Sequence, residues 1–570
     1  MPNVNICTSH RSRIVMAPRM SGRQRRFKGE LEAIGESITR RAPILMIVLL
    51  MLAGGVVAEE ALPPGNVEAG KKLAMHTEGD VVACFACHGK KGEGEADPAF
   101  PRLEGLNELY LRKQLLDYRS GARVNPVMGP YAKRMTPQEV ADVSAYYASL
   151  PIDAALISGS VRDSKDESTA LGERLSMHGD MANRSLPGCF QCHGPGGQGL
   201  GATFPPIVGQ PSSYIVAQIE AWKKGTRKND PLGMMKSVAV KLSDEESRAV
   251  AAYLATLPVG GPSQSAGKQA KTKVAGPSSS GAAATSAAPV PVPAHHGEVE
   301  AGREVGSEGH FQSPPHGRYP DGKMGDMVRL GEAMFETTYS HPVSAPYVGN
   351  KQYCSGCHLD AGRVANSSPM WASWVAYPAY RKKNDKVNTF IERVQGCFSY
   401  SMNAQGSAKG HPPAADSDVM IALVSYIYWL ANGAPTGDQG MPGRGYPRVA
   451  EPAGGFDPRR GEAVYGRNCA ICHGEQGEGY VTKDGHAIFP ALWGPDSYNW
   501  GAGMHRIDTA AAFIKYNMPY GVADPANKKG YLSDQDAWDV AAYMNSQERP
   551  QDPRFTGNLA ETRAKFHDSK

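Results

Sequence analysis

The sequence predicts an all-α fold of four small tandem domains, arranged as two pairs joined by a flexible linker. Three observations carry this. Four copies of C-x-x-C-H are spread over 570 residues, at Cys84/Cys87/His88, Cys189/Cys192/His193, Cys354/Cys357/His358 and Cys469/Cys472/His473. Residues 67–151 and 169–258 repeat one another. Between the second and third copies the composition collapses to Gly, Ser, Ala and Pro. A chain of this length holds three to five domains, and four spaced motifs favour four.

C-x-x-C-H is the attachment pattern of c-type haem, with two thioethers to the macrocycle and the adjacent His as proximal iron ligand. Four covalently attached haem c groups are therefore expected, on Cys84, Cys87, Cys189, Cys192, Cys354, Cys357, Cys469 and Cys472, with His88, His193, His358 and His473 on iron. An aromatic content of only 8% agrees with haem supplying much of each small core. Four copies behind an export signal argue against zinc or dithiol chemistry.

That signal is read over residues 1–58. Arg40-Arg41, the apolar run Ile44–Leu52 and Val56-Val-Ala58 form a charged region, an apolar region and a small-residue cleavage site. The alternative is an uncleaved anchor, though the run is shorter than a membrane span prefers. The expected location is periplasmic, with only transient membrane contact through the signal. Nine basic residues against three acidic ones in this leader exceed the whole-chain net charge of +4. The remainder is slightly acidic, which excludes a nucleic-acid-binding argument from charge.

Domains 1 and 2 are placed at 59–151 and 152–258. Glu68–His76 answers Ala170–His178, and each stretch leads into a C-x-x-C-H. Thr136-Pro-Gln-Glu139 and Ser243-Asp-Glu-Glu246 open the closing helices with a Ser/Thr cap and a Glu three residues on. Each repeat is thus a small all-α cytochrome c domain needing a sixth iron ligand ahead of its last helix. Met128 and Met235 both lie eight residues before these caps and are the expected distal ligands, with Met234 a competitor for Met235. The pair resembles the tandem dihaem cytochrome c electron carriers through C-x-x-C-H, Phe100-Pro and Phe204-Pro, Asn229–Met235 and the closing Ala-Tyr helix. The resemblance implies a carrier role.

The linker is placed at 259–321, with no periodicity and a Pro289-Val-Pro-Val-Pro293 run. Its histidines, His295, His296, His310 and His316, are read as solvated.

Domain 3, at 322–445, departs from the repeat. Where the carriers place Met, it has Cys397, 40 residues beyond Cys357 against 41 from Cys87 to Met128. Domain 4, at 446–570, returns to the ordinary pattern, with Met518 in a Met-Pro turn as expected distal ligand and Met504 as second candidate. Cys397 is the one cysteine of the exported part outside the haem motifs. A thiolate ligand lowers the reduction potential of haem iron and is itself a nucleophile, so sulfur chemistry rather than simple carriage is expected there. Arg381, Lys382, Lys383, Lys386 and Arg393 precede it within sixteen residues and Ser401 follows. Such cations hold small oxyanions by charge-assisted hydrogen bonds.

Residues 322–550 resemble the dihaem thiosulfate dehydrogenases. The resemblance rests on Cys354-Ser-Gly-Cys-His-Leu-Asp-Ala-Gly362, Tyr377-Pro-Ala-Tyr-Arg381, Glu392-Arg-Val-Gln-Gly-Cys-Phe-Ser-Tyr-Ser-Met-Asn403 and Asn517-Met-Pro519. It implies oxidation of two thiosulfates to tetrathionate, or the reverse, at a His/Cys-ligated haem. It also implies Cys397 as iron ligand and reactive sulfur, Arg393 and Ser401 in the substrate pocket, and Lys383 or Arg381 as a further anion contact. Electrons then pass through the fourth haem to the fused carrier domains and on to an acceptor such as an oxidase or a soluble high-potential carrier. Tyr400 and Ala404 depart from the family's usual Arg and Gly, and Asn517 from the Lys found in some members. Two rival readings stand beside this one. One is a purely electron-transferring tetrahaem cytochrome with Met402 or Met370 on the third haem. The other is a haem-thiolate thiosulfotransferase.

Overall fold

The computed structural model describes residues 63–77, 82–152, 167–259, 309–381, 385–482 and 485–566. The expected leader and most of the linker lie outside these residues. No helix among those described is long and apolar enough to cross a membrane.

The fold is all-α, with three two-stranded hairpins as its only sheets among the described residues. The first domain contains α1 (Val67–Met75), α2 (Glu108–Ser120), α3 (Met128–Arg134) and α4 (Pro137–Ser149). The second repeats them as α5 (Glu167–Met177), α6 (Ser212–Lys224), α7 (Met234–Lys241) and α8 (Asp244–Thr256). The third has α9 (Gly322–Glu336), α10 (Met370–Val375), α11 (Phe390–Tyr400) and α12 (Asp418–Leu430). The fourth has α13 (Pro458–Asn468), α14 (Ile507–Asn517) and α15 (Asp534–Ser546), followed by α16 (Leu559–Phe566). The caps behave as their sequences require. Thr136 with Glu139, and Ser243 with Glu246, close reciprocal capping boxes.

In every domain the first helix crosses the last long one: α1 on α4, α5 on α8, α9 on α12 and α13 on α15. A glycine stands at each crossing. A Cβ at Gly70, Gly172, Gly331 or Gly461 would meet a backbone carbonyl oxygen at 2.0, 2.1, 2.2 and 2.0 Å respectively. The helices thus approach more closely than any side chain allows, and the four glycines mark one architecture used four times.

The first two domains join about a near-symmetric seam. Val124 N–H donates to Thr226 O at 2.8 Å and Lys228 N–H to Ala122 O at 2.9 Å. Buried Arg123 donates to Gln114 and Gln218, and buried Arg227 to the same two residues. These bonds satisfy guanidinium groups taken out of water. The second domain also packs on the second pair. Met181 joins the core of α13 to α15, and Ser185 Oγ donates to Asp524 Oδ1 at 2.6 Å.

The last part of the expected linker is more ordered than its composition suggests, so the ordered chain resumes before 321. From Gly309 onward it packs on the third domain, with His310 only 3% exposed and His316 wedged between Glu332 and Asp360. The solvated reading of these two histidines is corrected here. Contacts distant in sequence bury them, and local composition carries no trace of those contacts.

Candidate active site and haem sites

All four C-x-x-C-H histidines are fixed in one way. Nδ1 of His88, His193, His358 and His473 faces the carbonyl oxygen of Pro101, Pro205, Ser368 and Pro490 at 2.9, 2.7, 2.7 and 2.9 Å. A ring held through Nδ1–H presents the Nε2 lone pair, as a proximal ligand must. Burial lowers all four below the ordinary histidine value, His358 to about 4, so they are neutral as ligation requires. Among the described residues all nine cysteines are free thiols. The donor set therefore fits covalent haem c.

Of the methionines, Met235 packs against the same core as Cys189 and Phe190, and Met504 and Met518 against the same core as Cys469. Met128 opens α3, its N–H held by Asn125 Oδ1 at 2.8 Å. Asn517, just before Met518, accepts a hydrogen bond from Ser367 Oγ and donates to Phe513 O at 2.9 Å. The turn at Met518 is thus pinned to the third domain.

The third domain departs from the others on both sides of its haem motif. Past His358, Asp360 and Ala361 take left-handed φ values of 52° and 51°, at a cost of about 1–3 kcal/mol each. Tyr426 Oη donates to Ala361 O at 2.6 Å and His316 Nε2 lies 2.9 Å from Asp360 Oδ1, which holds this turn.

Opposite the motif runs α11. Thr389 caps it and Glu392 closes the box, the Thr389 N–H donating to Glu392 Oε2 at 2.8 Å. Phe390, Val394 and Phe398 recur at helical spacing and are buried. Arg393 and Cys397, also four residues apart, share a neighbouring face. Arg393 Nη1 donates to Cys397 Sγ at 2.9 Å. The sulfur's charge raises Arg393, burial opposes it, and Tyr377 adds a further hydrogen bond. Cys397 faces the haem thiols: burial, then the Cys397 charge, pushes Cys357 up to about 12.

Arg381 stands on the hairpin Ala379–Arg381/Lys386–Asn388, opposite Lys386. Burial and then repulsion from Arg393 lower it, with Tyr377, Cys397 and Tyr400 as its other charged neighbours. Ser401 follows α11, its N–H donating to Cys397 O at 2.8 Å and its carbonyl accepting from Asn350 Nδ2 at 2.8 Å. Lys383 lies outside the described residues. The structure thus brings Cys397, Arg393 and Arg381 together and adds Tyr377, which sequence reasoning quoted as part of a motif without giving it a role. It also adds Arg554, whose guanidinium lies 4.6 Å from the Tyr400 ring centroid. No local signal could place a residue 154 positions away on α11.

The second and fourth haem sites back onto one another. Phe204 and Phe489, each preceding the proline whose carbonyl holds a proximal His, meet at 5.5 Å between ring centroids.

The cytochrome c family profile matches residues 67–151, 182–258 and 458–548. Thiosulfate dehydrogenase of Stutzerimonas stutzeri is 54% identical over 269 residues, which is 47% of this chain and 82% of that protein. The thiosulfate dehydrogenase electron acceptor of the same organism is 44% identical over 197 residues, 34% of this chain and 88% of its own. The solved structure of thiosulfate dehydrogenase TsdBA from Marichromatium purpuratum is 47% identical, covering 88% of this chain and 95% of that one, with a TM-score of 0.73. The chain accordingly belongs to the thiosulfate dehydrogenase family, joined in one polypeptide to a dihaem cytochrome of the thiosulfate dehydrogenase electron-acceptor family.

Proposed function

We propose that this chain, exported to the periplasm, joins two thiosulfates into tetrathionate at Cys397 and passes the electrons to its own carrier domains. The overall change is 2 S2O3(2−) → S4O6(2−) + 2e−. The observation that carries this reading is the Arg393–Cys397 contact of 2.9 Å on the face turned to the third C-x-x-C pair.

Four haem c groups, bound through the cysteines and histidines above, supply one-electron acceptors beside the reacting sulfur and along the chain. Cys397 would hold the third haem, and Met128, Met235 and Met518 the other three. Arg393 donates directly to the Cys397 sulfur at 2.9 Å, which orients the reacting atom beside a fixed positive charge. A thiosulfate bonds through its sulfane sulfur to Cys397, giving Cys–S–S–SO3(−) as two electrons leave. The sulfane sulfur of a second thiosulfate attacks the first, forming tetrathionate and returning the Cys397 thiolate. Arg393 and Arg381 supply two guanidinium charges for the incoming dianions. Ser401 and Lys383 are assigned to substrate binding as well. The Phe204–Phe489 contact is the exit toward the carrier domains, where a periplasmic oxidase or soluble carrier collects the electrons.

The test is Cys397→Gly with iron content checked. Tetrathionate formation from thiosulfate and ferricyanide should vanish while all haem iron is retained; turnover by the fully loaded variant would disprove the assignment.

A further inference from the structure

Met518 follows α14, and the loop that begins there is held from two other domains. From the third domain, Ser367 Oγ donates to Asn517 Oδ1, one residue before Met518, and Asn366 Nδ2 donates to Pro525 O at 2.8 Å, beyond it. From α7 of the second domain, Ser237 Oγ and Lys241 Nζ both donate to Gly521 O, at 2.8 and 3.0 Å. We infer that these residues position Met518, so that the two flanking domains set the ligation and potential of the fourth haem, given Met518 as its distal ligand as proposed above.

The third-domain side is a single segment with two tasks. Ser368, next to Ser367, accepts the His358 Nδ1–H at 2.7 Å and so orients the third proximal histidine. Asn366, Ser367 and Ser368 are consecutive, yet they serve three partners in two domains. Left-handed φ values of 63° at Asn366 and 54° at Ser368 make this possible. Such values persist in residues with side chains only where surrounding contacts over-determine them.

Ser367 and Asn517 are 0% and 1% exposed, so water does not reach either one to replace a lost partner. Asn517 Nδ2 is committed to Phe513 O at 2.9 Å within α14, which leaves Oδ1 for Ser367. Tyr446 adds a second tie to the same helix. Its Oη donates to Cys357 O at 3.1 Å and its ring meets Phe513 edge-on, with centroids 5.4 Å apart.

The second-domain side works by close approach. Gly521 has a φ of 79°, and a Cβ there would lie 2.8 Å from Pro187 Cγ. The helix that supplies Ser237 and Lys241 opens with Met234 and Met235, beside the second haem site. One loop therefore touches segments that serve the irons on either side of it in the proposed electron path. Thioether ligation raises the potential of haem iron, so a loosened Met518 would make the fourth haem a poorer acceptor from the third.

The experiment uses the full haem-loaded chain. It reads the thioether-to-iron charge-transfer band of the ferric protein and a spectroelectrochemical titration. Met518→Ala should remove one methionine's share of the band and lower one haem potential. Ser367→Ala, and separately the double variant Ser237→Ala/Lys241→Met, should each weaken that share and shift the same potential downward, with iron content unchanged. Ser237 and Lys241 are only half-buried, so the double variant keeps the test open if Ser367→Ala loads haem poorly. A band and potentials that Met518→Ala leaves intact overturn the ligand reading and this positioning role with it. A Met518-dependent band and potential that either loaded flanking variant leaves unchanged, even where its thermal midpoint falls, overturn the positioning role alone.

Discussion

Arg393 and Cys397 lie one helical turn apart on α11, and the guanidinium Nη1 donates to the sulfur at 2.9 Å. The contact links the group that would hold an anionic substrate to the atom that would react with it. A dianion arriving at Arg393 competes with the sulfur for the same N–H. Substrate binding and sulfur reactivity are therefore coupled through one side chain.

Arg393→Ala should lower kcat/KM for thiosulfate by roughly 10- to 150-fold, since a hydrogen bond to a charged group is worth about 1.5–3 kcal/mol and about 1.4 kcal/mol is tenfold in rate. Arg393→Lys keeps the charge but loses the planar fork, and should fall between. Steady-state assays with equal haem loading measure both.

Tyr377 touches Arg393 rather than the sulfur, and is a positioning residue. Tyr377→Phe removes one hydrogen bond and keeps the ring that packs edge-on against Phe390 at 6.0 Å. A loss of about tenfold in kcat/KM is expected, with an altered absorption spectrum of the third haem and an unchanged thermal midpoint. A purely structural tyrosine would move the midpoint instead.

The helix crossings predict opposite outcomes for two glycines on α13. Gly461→Ala would drive a methyl to 2.0 Å from Asp539 O, and should destabilise the fourth domain by at least the ~1–3 kcal/mol of overpacking. Gly466 has nothing within 4 Å of its added Cβ, and Gly466→Ala should stabilise by about 0.5–1 kcal/mol. Calorimetry of the loaded protein distinguishes them.

Glu392 caps the helix that carries Cys397. The Lys386 ammonium and the Thr389 N–H hold its carboxyl down at about 2, against 4.5 for the ordinary side chain. Because the folded value is the lower one, this stabilisation is complete above about 4.5 and is lost as the pH falls through about 2. Glu392→Gln should flatten the pH dependence of the thermal midpoint across that window.

Local chemistry was legible in the sequence. The C-x-x-C-H spacing marked segments whose four histidines are all held through Nδ1 in the same way, and the Ser/Thr caps with Glu at the third helical position marked α4 and α8 correctly. The four-residue step from Arg393 to Cys397 puts both on one side of α11, where they meet. What escaped comes from residues far apart in sequence. His316 meets Asp360 and Glu332 only after folding, and Arg554 reaches Tyr400 from the C-terminal segment. The crossing glycines were visible as letters, but only a carbonyl oxygen of the facing helix 2.0–2.2 Å from a hypothetical Cβ shows why nothing larger fits.

Phe204 and Phe489 belong to one polypeptide and lie 5.5 Å apart, so the proposed hand-over between halves would be a first-order event. Separate donor and carrier proteins must find each other, at a rate that rises with concentration and, for charged partners, falls as salt screens their attraction. Here dilution leaves the rate per chain unchanged, and ionic strength acts only on thiosulfate entering and on the last acceptor leaving.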